Sequence, residues 1–227
     1  MVKVKICGIT SLDDALAACD AGADALGFVF APEAKTRNRY IDPEDASGII
    51  DKLPPFVSVI AVCVNASRER LLEYLEFVDY VQLCGDESPQ ECAIALAHAI
   101  GSRLERPTAG EARGAPLRDR VIKAFRVSRE FEPALMRAYP GPAYLLDASV
   151  AGQHGGTGAT CDWDVARRAV ALGHPIILAG GLTPENVAEA VRYVRPYAVD
   201  TSGGVESAPG KKDHEKVRRF IQNAKHA

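Results

Sequence analysis

The 227-residue chain is predicted to be a single α/β domain, a (β/α)8 barrel spanning residues 1–227. Three observations predict it. Apolar β-branched runs and amphipathic stretches alternate eight times, and eight strand–helix units in a chain of about this length match that barrel, which typically takes roughly 250 residues. Runs such as "VSVIAVCV" and "PIILAG" are apolar at nearly every position, as strands covered by helices on both faces are. The first strand leads into "CGITSLDD", which lacks the G-x-G-x-x-G turn of a doubly wound open sheet.

The elements follow in order. Strand one is read over Val2–Ile9, where "KVKICGIT" alternates and then bends at Cys7-Gly8; Ser11 starts a helix over Leu12–Ala21. Strand two, Ala25–Phe30, leads through a charged loop to Asp42-Pro43 and a helix to Leu53. Strand three, Ser58–Asn65, precedes Ser67 and a helix over Arg68–Phe77; strand four, Tyr80–Gly85, precedes Ser88-Pro89 and a helix to Leu104. Strand five, Val121–Val127, is followed by a helix over Glu130–Tyr139, and strand six, Ala143–Ala148, by one over Trp163–Leu172. Strands seven (Pro175–Gly181) and eight (Tyr197–Ser202) carry the helices Pro184–Val194 and Lys212–Lys225. Ser, Thr or Asp just before a helix, with Pro at its first position, is the usual start signal. One stretch breaks the rhythm: Gly101–Arg120 is rich in Gly, Pro and Arg. It is expected to be a flexible, solvated insertion on the face opposite the site.

Composition narrows function. Apolar residues at 47% and charged residues at 25% are ordinary for a globular protein with a substantial core. A net charge of −3 argues against a nucleic-acid or membrane-surface partner. An anionic ligand would need a locally built site. The longest apolar stretch, Phe56–Val64, is half of what a membrane helix requires. Six cysteines lie at 7, 19, 63, 84, 92 and 161 with no CxxC pair. With no apolar signal region after the first Met, that scatter points to a reducing, cytoplasmic setting.

In such a barrel, chemistry sits at the carboxyl ends of the strands. The polar residues there are Cys7, Arg37, Arg39, Asn65, Gln82, Cys84, Arg126 and Asp147, with two glycine turns. "AGGLTPENV" puts Gly180 and Gly181 after strand seven, and "DTSGGVE" puts Gly203 and Gly204 after strand eight. Paired glycines let backbone N–H groups close on an anion, and two pairs at adjacent strand ends favour a phosphorylated small molecule as ligand over ordinary turns needing positive φ. Asp147 ends an apolar strand, where desolvation favours its acid form; a helix cap or structural carboxylate is the plainer alternative. The "GGTG" of Gly155–Gly158 offers a flexible loop over a ligand. Cys7 is either a small core residue or a base; as a base its pKa must fall or its proton leave through a neighbour, which a nearby cation or bound substrate charge would help. Cys7, Cys63 and Cys84 could form a three-thiol metal site, but no histidine or carboxylate has supporting spacing. Cys19, Cys92 and Cys161 read as structural.

"KICGIT", "GADALGFVF", "PPFVSVIAVCVN", "YVQLCGDE", "LLDASVAGQHGGTG", "LAGGLTPENV", "VRPYAVDTSGGVE" and "PGKKDHEKVRRFI" resemble, in the same order, the phosphoribosylanthranilate isomerases of tryptophan biosynthesis. The resemblance implies an Amadori rearrangement that turns N-(5-phosphoribosyl)anthranilate, an aminoaldose, into 1-(2-carboxyphenylamino)-1-deoxyribulose 5-phosphate. It implies Cys7 as general base, Asp147 as general acid, Arg39 on the anthranilate carboxylate, and Gly180, Gly181, Gly203 and Gly204 on the phosphate. No cofactor or metal is implied, and the state is monomer or homodimer. Two departures stand out: Cys84 lies where the family commonly has His, and the loop before Arg39 is a few residues longer and lacks the common Ser. A phosphosugar epimerase on the same barrel is the alternative; it would use a pair of aspartates, often with metal-binding histidines. A barrel retained only for binding would lack Cys7 or Asp147.

Overall fold

The computed structural model describes residues 1–97, 120–148 and 161–227. Eight parallel strands close on themselves in chain order: β1 Lys3–Cys7, β2 Ala25–Val29, β3 Ser58–Cys63, β4 Tyr80–Leu83, β5 Val121–Val127, β6 Ala143–Ala148, β7 Ile176–Leu178 and β8 Ala198–Thr201, with β8 pairing back onto β1. All eight predicted strands are present, within a few residues of the expected ends. Seven α-helices occur among the described residues: α1 Leu12–Asp20, α2 Pro43–Ile50, α3 Arg68–Tyr74, α4 Pro89–Ala97, α5 Trp163–Val170, α6 Val187–Val194 and α7 His214–Lys225. Ser11, Asp42 and Ser67 cap their helices as expected, accepting from the backbone N–H groups of Asp14, Glu44 and Arg70.

Side chains alternate along each strand, and this sorts the core into two parts. Val4, Ile6, Leu26, Phe28, Leu146 and Leu178 point outward into the layer between barrel and helices. Ile60, Ile122, Leu145, Ile177 and Ala179 fill the barrel itself. The same alternation aims Lys5 and Cys7 on β1, and Asp147 on β6, inward. Whatever the inner face carries at its upper end becomes the floor of a site.

Three expectations need correction. The segment after β5 is a 3₁₀ turn, Pro133–Ala138, not an α-helix. Pro133 and Pro140 bracket too few residues for an α-helix to pay its nucleation cost, and the bonds that form are Leu135 N–H to Glu132 O and Tyr139 N–H to Met136 O. The α6 helix starts at Val187 rather than Pro184. In the turn before it the Asn186 side-chain amide accepts from Thr183 N–H at 2.8 Å and donates to Gly181 O at 3.0 Å, beside the backbone bonds from Asn186 and Val187 N–H to Thr183 O. Lys212 lies not in α7 but in a small antiparallel ribbon, β9 Glu206–Ala208 with β10 Lys211–Lys212.

Most of the Gly101–Arg120 insertion, and the Gly155–Gly158 loop, lie outside the described residues. Arg120 is described, and it is buried at 6% exposure. Its guanidinium donates to the carbonyls of Leu75, Val78 and Asp79, which satisfies the end of α3 with a cation. Arg120→Ala strands those carbonyls and is expected to cost about 2–4 kcal/mol, read as a lowered urea midpoint at unchanged m. A loss below about 0.5 kcal/mol would show that water replaces the guanidinium freely.

Candidate active site

The inner face opens at the carboxyl ends of the strands into a cavity of about 420 Å³. Its walls include Cys7, Arg37, Arg39, Gln82, Cys84, Arg126, Asp147, Asp200 and Ser202. Of the predicted polar strand ends only Asn65 is elsewhere. It turns toward the loop after β4, where its side chain accepts from Asp86 N–H at 2.9 Å, and it lines a separate cavity. Cys63 packs outward between barrel and helices. The three thiols therefore do not converge, and no group of His, Cys, Asp and Glu suited to a metal occurs among the described residues.

Cys7 sits at 8% exposure, opposite Gly27 in the β1–β2 register. A Cβ on Gly27 would lie 2.8 Å from Cys7 Sγ, so the glycine leaves room for the sulfur. Burial pushes the thiol up; the Lys5 ammonium opposes that, the Asp200 carboxylate adds to it, and Lys212 opposes it again. Cys7 is thus part of the cavity wall, beside the buried Lys5 ammonium.

Asp147 closes β6, in register with Arg126 on β5. Its Oδ1 accepts from Ala148 N–H at 2.8 Å, leaving Oδ2 for other partners. Burial pushes the carboxyl up to about 6; the Ala148 N–H pulls it down, Asp200 raises it further, and Lys5 and Arg37 lower it. Near neutral pH a group titrating there can supply a proton.

The glycine turns fit tightly. Gly180 has φ +83°, and a Cβ there would meet Ala148 N at 2.6 Å and Asp147 Oδ1 at 3.0 Å. Gly180 therefore lets the acid's strand and the β7 turn approach each other. At Gly204 a Cβ would come within 1.9 Å of Leu182 O, so the β7 and β8 turns also abut. Beside them, Ser202 Oγ is buried with no partner, an orphaned donor at the rim where an anion would sit.

Arg39 is tied down. Its Nε and Nη2 each donate at 2.8 Å to one oxygen of Glu206, which also accepts from Lys212 Nζ at 3.1 Å. The guanidinium therefore lies over the β8 turn, with Nη2 2.8 Å from where a Gly203 Cβ would be. Lys212 Nζ further donates to Ser202 O at 3.2 Å.

Sequence reading missed Lys5, Asp200, Ser202, Glu206 and Lys212. A second aspartate, Asp200, which the sequence reading did not place at a strand end, lines the same cavity as Asp147. It is taken up by Lys5, whose Nζ lies 2.8 Å from its Oδ1.

Comparisons with known proteins bear on the family and the fold. A family model described as N-(5'phosphoribosyl)anthranilate (PRA) isomerase matches residues 4–223. The chain is 50% identical over 234 residues to the N-(5'-phosphoribosyl)anthranilate isomerase of Geobacter sulfurreducens, covering 99% of each. It superposes on the Thermus thermophilus phosphoribosyl anthranilate isomerase with a TM-score of 0.79 at 37% identity, over 99% of both chains. A phosphoribosyl anthranilate isomerase solved in complex with reduced 1-(o-carboxyphenylamino)-1-deoxyribulose 5-phosphate gives a TM-score of 0.76 at 40% identity, over 100% of both.

Proposed function

The chain belongs to the N-(5'-phosphoribosyl)anthranilate isomerase family, and we propose that Cys7 and Asp147 are the base and the acid of its Amadori rearrangement. The enzyme converts an aminoaldose phosphate into an aminoketose phosphate in tryptophan biosynthesis. One observation carries the assignment: a thiol and a raised carboxyl line one cavity, from β1 and β6 of a closed barrel.

The steps follow from what each group can do. Asp147 gives its proton to the ribose ring oxygen while the anilino nitrogen pushes its lone pair toward C1′. The C1′–O bond breaks and leaves a Schiff base. That cationic nitrogen acidifies the C2′–H bond, and the Cys7 thiolate takes the proton. The resulting enolamine tautomerises to the ketone. The substrate's own nitrogen is the electron sink, so the reading needs no cofactor or metal. We assign the phosphate to the backbone of Gly180, Gly181, Gly203 and Gly204, beside the buried Ser202 hydroxyl. We assign the anthranilate carboxylate to Arg39, through the Nη1 edge that Glu206 does not use.

The pH dependence tests the pair. At neutral pH the groups rest as thiol and carboxylate, one proton transfer away from thiolate and acid. Both states hold the same number of protons. If C2′–H cleavage is the slow step, kcat/KM should be flat from about 6, where Asp147 titrates, up to the raised Cys7 titration, and fall tenfold per pH unit on either side. A profile that declines steadily from pH 6 to 8 would mean that Cys7 does not contribute a thiolate to that step.

The remaining readings are coarser. No helix among the described residues is long and apolar enough to cross a membrane. We read the chain as one domain working in the cytoplasm, where Cys7 stays reduced, as a monomer or homodimer.

A further inference from the structure

An ion pair that the rearrangement as described does not use lies deeper in the barrel than the two reacting groups. Lys5 Nζ and Asp200 Oδ1 are 2.8 Å apart, with side-chain exposures of 3% and 11%. They are register partners on β1 and β8 and project inward two residues before Cys7 and Ser202. A pair this buried contributes little to stability, because desolvation offsets the attraction, and apolar side chains would fill the space as well. Ile60 and Leu145 do so elsewhere inside the barrel.

Its location suggests another role. A Cβ on Gly27 would lie 2.8 Å from Cys7 Sγ and 3.1 Å from Lys5 Nζ. Sulfur and ammonium therefore share the space over a single Cα, in a medium where unscreened charge acts strongly. We propose that Lys5 is a positioning residue for the general base: its ammonium, held in place by Asp200, stabilises the Cys7 thiolate. The inference builds on the assignment of Cys7 as that base.

The groups facing Cys7 are Lys5 on β1, Asp200 on β8 and Lys212 on β10, with the thiol of Cys84 after β4. Lys212 is committed to Glu206 and the Ser202 carbonyl. The ion pair is also polarised. At Cys7 the Lys5 charge outweighs that of Asp200, whereas at Asp147 the Asp200 charge outweighs that of Lys5. One neutral pair thus favours a thiolate at one end and a protonated carboxyl at the other, the two forms the reaction needs.

Alkylation of Cys7 by iodoacetamide across pH measures this directly, with the Cys7 peptide quantified by mass spectrometry so that the other five cysteines do not contribute. The midpoint is the reading, because a thiolate of higher pKa is also intrinsically more nucleophilic. Lys5→Met should move the midpoint upward by about one pH unit or more, and kcat should fall about tenfold at neutral pH with KM little changed. Lys5→Arg should restore both. Asp200→Asn should move the midpoint downward. Opposite shifts in the two variants are something loosened packing would not produce. A midpoint unmoved in both, or moved the same way in both, overturns the proposal. If Lys5→Met does not fold, the Asp200→Asn shift decides alone. Wild-type turnover in Cys7→Ala would instead remove the base assignment, whatever alkylation shows.

Discussion

Asp147→Asn is expected to lower kcat on the order of a thousandfold while leaving the barrel folded. The amide keeps the size of the carboxyl, and its oxygen can still accept from Ala148 N–H and pack against Gly180. Only the transferable proton is lost, so ring opening must draw on water. The variant should also be more stable at neutral pH. Asp147 has its carboxyl raised from 3.8 to about 6, so the native state binds that proton more tightly than the unfolded chain does. Ionisation therefore costs stability, beginning as pH passes the unfolded value and complete above about 6. Discounted for partial solvent access, the cost at pH 7 is about 2 kcal/mol, and removing the charge recovers it. The two stabilities should converge below about pH 4, where the wild-type carboxyl is neutral in both states. Lower activity together with a higher unfolding midpoint separates a catalytic carboxyl from a structural one. A helix cap or a structural ion-pair partner would lose stability on the same change.

The second large effect is expected at Cys7. Cys7→Ser preserves shape at a position already crowded by Gly27 and Lys5, but a serine hydroxyl gives up its proton far less readily than a thiol. With no thiolate to take the C2′ proton, kcat should fall on the order of a hundredfold or more, with KM changed little. A small buried core cysteine, the commoner fate of an unpaired thiol, would tolerate serine at a cost of about 1–2 kcal/mol in stability and none in turnover. The two outcomes are far apart.

The strands were legible because both-face burial writes nearly unbroken apolar runs: "VSVIAVCV" became β3 almost as read, and "PIILAG" holds β7, shortened to Ile176–Leu178. Asp147 and the Gly180–Gly181 turn could be placed because each follows an apolar strand, and Cys7 because its alternating strand bends at Gly8. What failed depends on chain distant in sequence or on elements too short to show a period. Lys5 alternates with Val4 and Ile6, which in an open sheet marks a solvent face; closing the barrel turns that face inward. A signal was available, since any placement that aims Cys7 inward aims Lys5 inward as well. Asp200 hides within strand eight and shows its role only beside Lys5. The hold of Glu206 on Arg39 spans 167 residues and leaves no local trace. The strands β9 and β10 have three and two residues, too few for periodicity. After β5, Pro133 and Pro140 outweighed the helical pattern of "EPALMRAY".

The assignment of two groups to two different bonds is tested most directly by deuterium at C2′ of the substrate. Wild type should show a primary isotope effect on kcat, and Cys7→Ser should keep or enlarge it, because C2′–H cleavage stays slow. Asp147→Asn should bring it close to unity, since opening the ring then limits turnover and the labelled bond breaks afterward. An undiminished isotope effect in Asp147→Asn, or none in Cys7→Ser, would contradict the division of labour between carboxyl and thiol.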